Sequence, residues 1–299
     1  MSTSIAVLMG GPSSERDVSL QSGKAIQRAC ENLAFDTTSV VFDTNIMDHL
    51  DTLLNVDLVL IALHGGLGEN GRIQGLFESL GIQFTGSDAL SSAICMDKHI
   101  SKLLVKDVGI STPKWMRIRK NESFNKSLIE YPCVVKPNSE GSTIGLTIVD
   151  HVNQLEEAIK KALAYDNEIL VEDYIAGKEL TVSVLGDDIL PIVEIRPSHA
   201  LYDYECKYSK GLTEYYCPAE LDNKLSKNIQ ETTSEIYNHL KCRHYGRVDF
   251  RLDNDNKCWF LEVNTLPGMT ETSLVPKAAK AAGITFDKLI HNIIIQALN

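Results

Sequence analysis

The chain has 299 residues, 43% hydrophobic and 23% charged, with a formal net charge of −11. That length accommodates two or three domains with substantial cores, and the acidic balance excludes a surface that holds nucleic acid or membrane through charge alone. The opening "MSTSIAVLMGG" lacks the basic start of a signal peptide, no apolar run is long enough to span a bilayer, and seven scattered cysteines without a CxxC pair read as reduced thiols of a cytoplasmic protein.

Residues 1–90 alternate strand and helix. "SIAVLM" reads as a buried strand, and Ala25, Ile26, Ala29, Cys30 and Leu33 mark the helix face that follows. "TSVVF" and "DLVLIAL" are further strands; Ile73, Leu76, Phe77 and Leu80 give a second helix stripe, and "IQFT" a last short strand. This alternation predicts an α/β fold with an open, mostly parallel sheet. Ligands bind such sheets at the carboxyl ends of strands, and two strand ends here are polar and loop-like, "GGPSSERD" and "HGGLGENG".

From about 91 to 175, a helix stripe of Ile100, Leu103 and Leu104 stops at Gly109 and Pro113. Strands "CVVKP" and "TIGLTIV" flank the loop "NSEGS", and a helix with Val152, Leu155, Ile159 and Leu163 leads to the strand "EILVEDYI". From 176 to 299 come a hairpin, "LTVSVL-GDD-ILPIVEI", a long polar loop, a helix, a second hairpin and a final helix. There is no internal repeat and no low-complexity linker.

The second hairpin joins "GRVDFRL" to "CWFLEVN" through the polar turn "DNDNK". Side chains alternate across a strand. Val248, Phe250 and Leu252 on one strand, with Trp259, Leu261 and Val263 on the other, therefore read as the core face. The opposite face carries Arg247, Asp249 and Arg251 beside Cys258, Phe260, Glu262 and Asn264. Two carboxylates and an amide suit Mg²⁺, which is usually held by one or two carboxylates together with substrate phosphates. The same residues also fit a solvated face with ordinary salt bridges. In "VVKPNSEGSTIG", Lys136 ends a strand before a small-residue loop whose N–H groups can wrap anionic oxygens, although a mobile hairpin loop reads equally well. The loop is not a P-loop, because the GxxxxGK[ST] spacing is missing and a strand follows it.

"GGPSSERDVSL", "ALHGGLGENGRIQG", "MDKHISK", "VVKPNSEGSTIG", "DYECKY", "GRVDF" and "EVNTLPGMTETSLVP" together resemble the D-alanine–D-alanine ligase family of the ATP-grasp superfamily, in order and over essentially the whole chain. The resemblance implies three domains: an N-terminal α/β domain at 1–90, a central lid domain at 91–175 and a catalytic domain at 176–299, with α+β character in the ATP-binding part. It implies ATP-driven joining of two D-alanines through an acylphosphate, for bacterial peptidoglycan, by a cytoplasmic homodimer that binds no nucleic acid or membrane.

The resemblance also implies residue roles. Lys98, Lys136 and Lys207 would contact phosphates, Glu172 and Ile175 the adenine, and Glu179 the ribose. Asp249, Glu262 and Asn264 would hold two Mg²⁺ (or Mn²⁺). Arg247 and the Gly268 N–H would stabilise a tetrahedral oxyanion. Glu15 would receive the first D-alanine's ammonium, with His64 nearby and Ser142 and Tyr208 bonded to Glu15. Ser273 and the backbone of Leu274 would hold the second carboxylate. On residues alone, Glu15 reads equally as an acid at a helix start, and His64 as a structural histidine. Asp173 stands where some relatives have Lys, and Tyr208 is the residue that users of D-lactate lack. Two rival readings are another carboxylate–amine ligase and a non-catalytic nucleotide sensor. The first lacks the set Glu15, Ser142, Tyr208 and Ser273, and the second is expected to lose a metal ligand or Arg247. A dinucleotide-dependent oxidoreductase is excluded because "LMGGPSSE" does not fit GxGxxG.

Overall fold

A computed structural model of the chain describes residues 3–197 and 213–299. Strand β1 (Ser4–Gly10) is apolar and enclosed from Ile5 to Met9. A strand without a polar face needs cover on both sides. It lies centrally in a parallel sheet of order β2-β1-β3, between β2 (Asp36–Phe42) and β3 (Leu58–Ile61). Helix α1 (Arg16–Asn32) packs on β1 with Val18, Ser22, Ile26, Ala29 and Cys30 buried. Beyond the short α2 (Leu50–Leu54), helix α3 (Arg72–Leu80) buries Ile73 and Phe77 as its periodicity predicts. "IQFT" contributes one bridge, Phe84 beside Val59, in place of a full strand.

Two helices follow that apolar counting describes poorly. Helix α4 (Ala89–Met96), capped by the Asp88 carboxylate on the Ser91 N–H, buries Ser91, Ser92 and Cys95, which make no apolar stripe. Helix α5 (Lys98–Asp107) turns two of its three expected stripe residues outward: Ile100 is 38% and Leu103 44% exposed while Leu104 packs against the core, whereas Lys98 is 6% and Lys102 0% exposed. The reason is that α5 faces carboxylates. Both lysines find a glutamate on a neighbouring strand, and a paired lysine tolerates burial that a lone one does not.

The middle sheet is antiparallel, ordered β4-β7-β5-β6, from β4 (Trp115–Arg119), β5 (Cys133–Pro137), β6 (Thr147–Val149) and β7 (Glu168–Asp173). Helix α6 (Leu155–Ala162) backs it with Leu155, Ala158 and Ala162. β6 is shorter than the apolar run "TIGLTIV" because the chain turns between Gly141 and Leu146.

The third sheet is also antiparallel. It contains β8 (Lys178–Leu185), β9 (Asp188–Ile189), β10 (Val193–Pro197), β11 (Thr213–Tyr216), β12 (Tyr245–Leu252) and β13 (Cys258–Asn264). The order is β11-β10-β8-β12-β13, with β9 on β8. Helix α7 (Asn223–His239) covers it through Ile229, Thr233 and Ile236. Helices α8 (Leu274–Ala281) and α9 (Phe286–Leu298) then return to the first sheet, where Val275, Ile290 and Ile293 share one core with Ile5, Val7 and Ile26. This return places the segment after β13 against helix α1: the Met269 N–H donates to Ser22 Oγ at 3.2 Å.

The β12–β13 hairpin departs from strict alternation. A bulge after Asp249 pairs Asp249 with Glu262 and Phe250 with Phe260, leaving Leu261 as the extra residue. Phe260, expected on the polar face, turns into the core at 6.5 Å from the Phe250 ring. Leu261, expected in the core, lines the cavity between the second and third sheets. Val263 keeps its core position, and Glu262 and Asn264 keep the cavity side.

Candidate active site

Two cavities meet at this hairpin. The first lies between the two antiparallel sheets and is lined by Lys136, Glu172, Ile175, Glu179 and Asp249. The second lies below the first sheet's loops and is lined by Glu15, His64, Ser142, Asn264, Gly268 and Ser273. Lys98, Arg247, Glu262 and Leu274 line both, so the two adjoin. Every residue singled out from the sequence lines one or both, apart from Lys207 and Tyr208, which lie outside the described residues.

The first cavity is a set of buried charge pairs. Asp97 caps α5 by accepting the Ile100 N–H at 2.9 Å, which fixes Lys98 as the first helical residue. Lys98 Nζ sits 3.0 Å from Glu262 Oε2 and donates to the Glu140 carbonyl at 2.7 Å, tying the small-residue loop to the hairpin. One turn later, Lys102 Nζ lies 3.0 Å from Glu172 Oε1, and Lys136 Nζ lies 2.9 Å from Glu172 Oε2. Burial alone would raise the Glu172 carboxyl, but the two ammonium groups outweigh it and hold the group below its ordinary range. At the cavity's edge, Arg251 donates to the Ile175 carbonyl at 3.0 Å and sits 3.5 Å from Glu179 Oε2. Arg251 therefore positions two of the expected nucleotide contacts.

Asp249, Glu262 and Asn264 stand at the junction. Arg247 grips Asp249 with two hydrogen bonds, Nε to Oδ1 at 2.8 Å and Nη2 to Oδ2 at 2.7 Å, and Thr181 Oγ1 adds a third at 2.5 Å. Asn264 Oδ1 accepts the Leu266 N–H at 3.0 Å, which starts the "TLPG" turn. Among the described residues, no group of three His, Cys, Asp or Glu side chains gathers into a metal cage. Two carboxylates and an amide oxygen side by side are nonetheless hard oxygen donors of the kind Mg²⁺ shares with phosphates, and they fit that ion.

The second cavity is built from loops. Ser142 and Thr143 hold φ of 51° and 63°, a left-handed conformation that costs non-glycine residues on the order of 1 kcal/mol or more each. That conformation carries the Ser142 hydroxyl to Glu15 Oε1, with which it hydrogen-bonds. Gly65 holds φ +70°, and a side chain there would start 2.9 Å from Glu15 Oε2, so the carboxylate needs glycine opposite it. His64 lies 3.1 Å from Ser22 Oγ through Nε2 and 3.8 Å from Glu69 Oε1 through Nδ1. Ser273, at the start of α8, turns its hydroxyl back to accept the Thr270 N–H at 3.0 Å. A Cβ on Gly268 would lie 2.8 Å from Ser273 Oγ, so a larger residue there would push the Ser273 hydroxyl aside.

Sequence reasoning passed over Lys102, Leu261 and Arg251 as site residues. Lys102 had a legible signal: it follows Lys98 by four positions inside "MDKHISK", one face of a helix. Leu261 had none, because only the bulge turns it toward the cavity.

Two antiparallel sheets closing on a lysine-lined cavity, with paired carboxylates at its floor, define the class of ATP-grasp ligases. The D-ala D-ala ligase C-terminus family matches residues 104–295, and the D-ala D-ala ligase N-terminus family residues 43–87. The chain is 44% identical to the D-alanine–D-alanine ligase of Aquifex aeolicus, over 97% of its own length and 99% of the relative's. The solved structure of D-alanine–D-alanine ligase from Bacillus anthracis superimposes with a TM-score of 0.91 at 39% identity, covering 99% of this chain and 98% of that one. The same enzyme complexed with ATP gives a TM-score of 0.89 at 38% identity, covering 100% and 97%. The chain belongs to the D-alanine–D-alanine ligase family, whose members are ATP-dependent ligases. No helix among the described residues is long and apolar enough to cross a membrane.

Proposed function

We propose that the chain joins two D-alanines into D-alanyl-D-alanine, driven by ATP, with the two cavities dividing the work. The observation that carries this reading is that the two cavities adjoin at Lys98, Arg247 and Glu262, so that a nucleotide in the first would point its terminal phosphate at an amino acid in the second. Glu172 and the backbone of Ile175 take the purine, and Glu179 takes the ribose. Lys98 and Lys136 face the phosphates, spreading charge as the terminal phosphoryl moves. Lys207 joins them on the family pattern. Asp249, Glu262 and Asn264 would hold two Mg²⁺ (or Mn²⁺), which neutralise phosphate charge when bound.

Glu15 holds the first D-alanine by its ammonium, with Ser142 and Tyr208 fixing the Glu15 carboxylate and His64 beside it. The bound carboxylate attacks the terminal phosphorus, and ADP departs. The acylphosphate that results is an electrophile, as the carboxylate was not. Ser273 and the Leu274 N–H, at the positive end of α8, receive the second D-alanine's carboxylate. Its amine attacks the acyl carbon and sheds a proton, Arg247 and the Gly268 N–H stabilise the tetrahedral oxyanion, and inorganic phosphate is expelled. Such preorganised donors are typically worth about 3–4 kcal/mol each. On the family pattern the enzyme is a cytoplasmic homodimer of the three domains set out from the sequence, and light scattering checks the dimer.

Phosphate release from ATP, measured with D-alanine, L-alanine or D-lactate and mass detection of the product, tests the whole reading. D-Alanine should drive release and yield the dipeptide. Release without dipeptide, or a preference for D-lactate, overturns it.

A further inference from the structure

Glu172 has two lysine partners, and they differ in freedom. Lys136 reaches it from β5 at the cavity wall, with 11% of its side chain exposed. Lys102 reaches it from α5 and is wholly enclosed, with its ammonium 5.5 Å from the Trp115 ring centroid. A nucleotide's phosphates compete with Glu172 for Lys136. When Lys136 turns to them, a buried carboxylate left alone would take up a proton, because desolvation disfavours its charge. Among the described residues Lys102 forms an ion pair with Glu172 alone, and it stays.

The contact itself leaves room for a ligand. Lys102 Nζ faces Glu172 Oε1 at 3.0 Å, and neither atom has a further hydrogen-bond partner among the described residues. An ionised carboxylate has about four lone-pair sites, so Glu172, on the lining of the nucleotide cavity, can face its lysines and still select a donor.

We propose that Lys102 is a positioning residue for nucleotide choice: it is the fixed counter-ion that keeps Glu172 ionised once Lys136 engages phosphate, and through Glu172 it selects a purine with an exocyclic amine over one with a carbonyl there. This rests on the purine contact assigned to Glu172 above. An ionised carboxylate accepts from the amine of adenine and repels the carbonyl of hypoxanthine, whereas a protonated carboxyl can donate to that carbonyl.

The test compares kcat/KM for ATP and for inosine triphosphate at saturating D-alanine, in the wild type, Lys102→Met, Glu172→Gln and the double variant. Losing a hydrogen bond to an ionised partner predicts that Lys102→Met lowers the ATP-to-inosine preference by about tenfold or more, with KM for D-alanine unchanged. Glu172→Gln should lower it as far, and Lys102→Met should then add nothing further in the double variant. If Lys102→Met does not fold, Lys102→Gln, which also drops the charge, carries the same comparison. A wild-type preference in Glu172→Gln overturns the purine contact itself. A preference lost in Glu172→Gln but kept in Lys102→Met overturns the role of Lys102 alone.

Discussion

The nucleotide half of the site and the amino-acid half are held together differently. The first stands on regular elements and opposed charges: Lys98 and Lys102 on α5, Lys136 on β5, Glu172 on β7 and Glu262 on β13. The second stands on loops and hydrogen bonds: Ser142 to Glu15, His64 to Ser22, Ser273 to Thr270. Charge pairs inside a cavity suit a highly charged ligand, because each cation is already desolvated and needs only to exchange one anion for another. Loops suit a small amino acid, whose recognition depends on a few hydrogen bonds placed from several directions. The comparison teaches that the nucleotide half is prepared by burial and the amino-acid half by backbone geometry.

The sharpest way to break this division lies at the junction. Glu262 is less enclosed than Glu172, with 30% against 3% of its side chain exposed, and it lines both cavities. Glu262→Gln should lower kcat by about a hundredfold or more, the scale of losing one preorganised charge-stabilising group. The thermal midpoint should stay close to that of the wild type, because Phe260 and Val263 anchor the hairpin. Near-normal turnover at saturating Mg²⁺ would place the chemistry elsewhere.

Within the amino-acid half, Ser142→Ala removes the hydroxyl bonded to Glu15. A hydrogen bond to an ionised group is worth about 1.5–3 kcal/mol, so kcat/KM for D-alanine should fall by roughly ten- to a hundredfold. KM for ATP should hardly move. An equal rise in both KM values would show the halves to be one unit.

A smaller effect is expected at the nucleotide cavity's edge. Glu179, partly exposed and 3.5 Å from Arg251, should on conversion to Gln raise KM for ATP only a few-fold and leave kcat unchanged. A large loss of kcat would move Glu179 from binding into the chemistry.

The smallest expected effect depends on pH. Burial, only partly offset by Glu172, lowers Lys102 from its ordinary value to about 8, and the groups facing it are Glu172, Lys136 and Glu262. The folded pKa is depressed, so between about 8 and the ordinary lysine range the unfolded chain binds more protons, and this group favours folding as pH rises through that window. Glu172 loses the Lys102 charge, one of its two counter-ions, over the same window. KM for ATP should therefore climb modestly above pH 8 in the wild type and not in Lys102→Arg, whose guanidinium keeps its charge. Parallel profiles in initial-rate assays would count against a charged Lys102 in nucleotide binding.

Much of this molecule follows from sequence alone. The apolar run of β1 requires a covered central strand, and the alternation in 1–90 dictates a parallel sheet. Two carboxylates beside an amide, just before "TLPG", mark a place where hard oxygen donors meet free backbone N–H groups, whatever the surrounding fold. What the sequence did not settle lies where counting apolar residues gives the wrong face. Helix α5 exposes Ile100 and Leu103 and buries two lysines, because its neighbours across the cavity are glutamates and not leucines. Periodicity marks which residues share a face; only tertiary structure decides whether that face meets solvent, core or an opposite charge. The bulge after Asp249 is of the same kind. One unpaired residue reverses the faces of Phe260 and Leu261, and its position is fixed by pairing between strands, which no single strand's sequence contains.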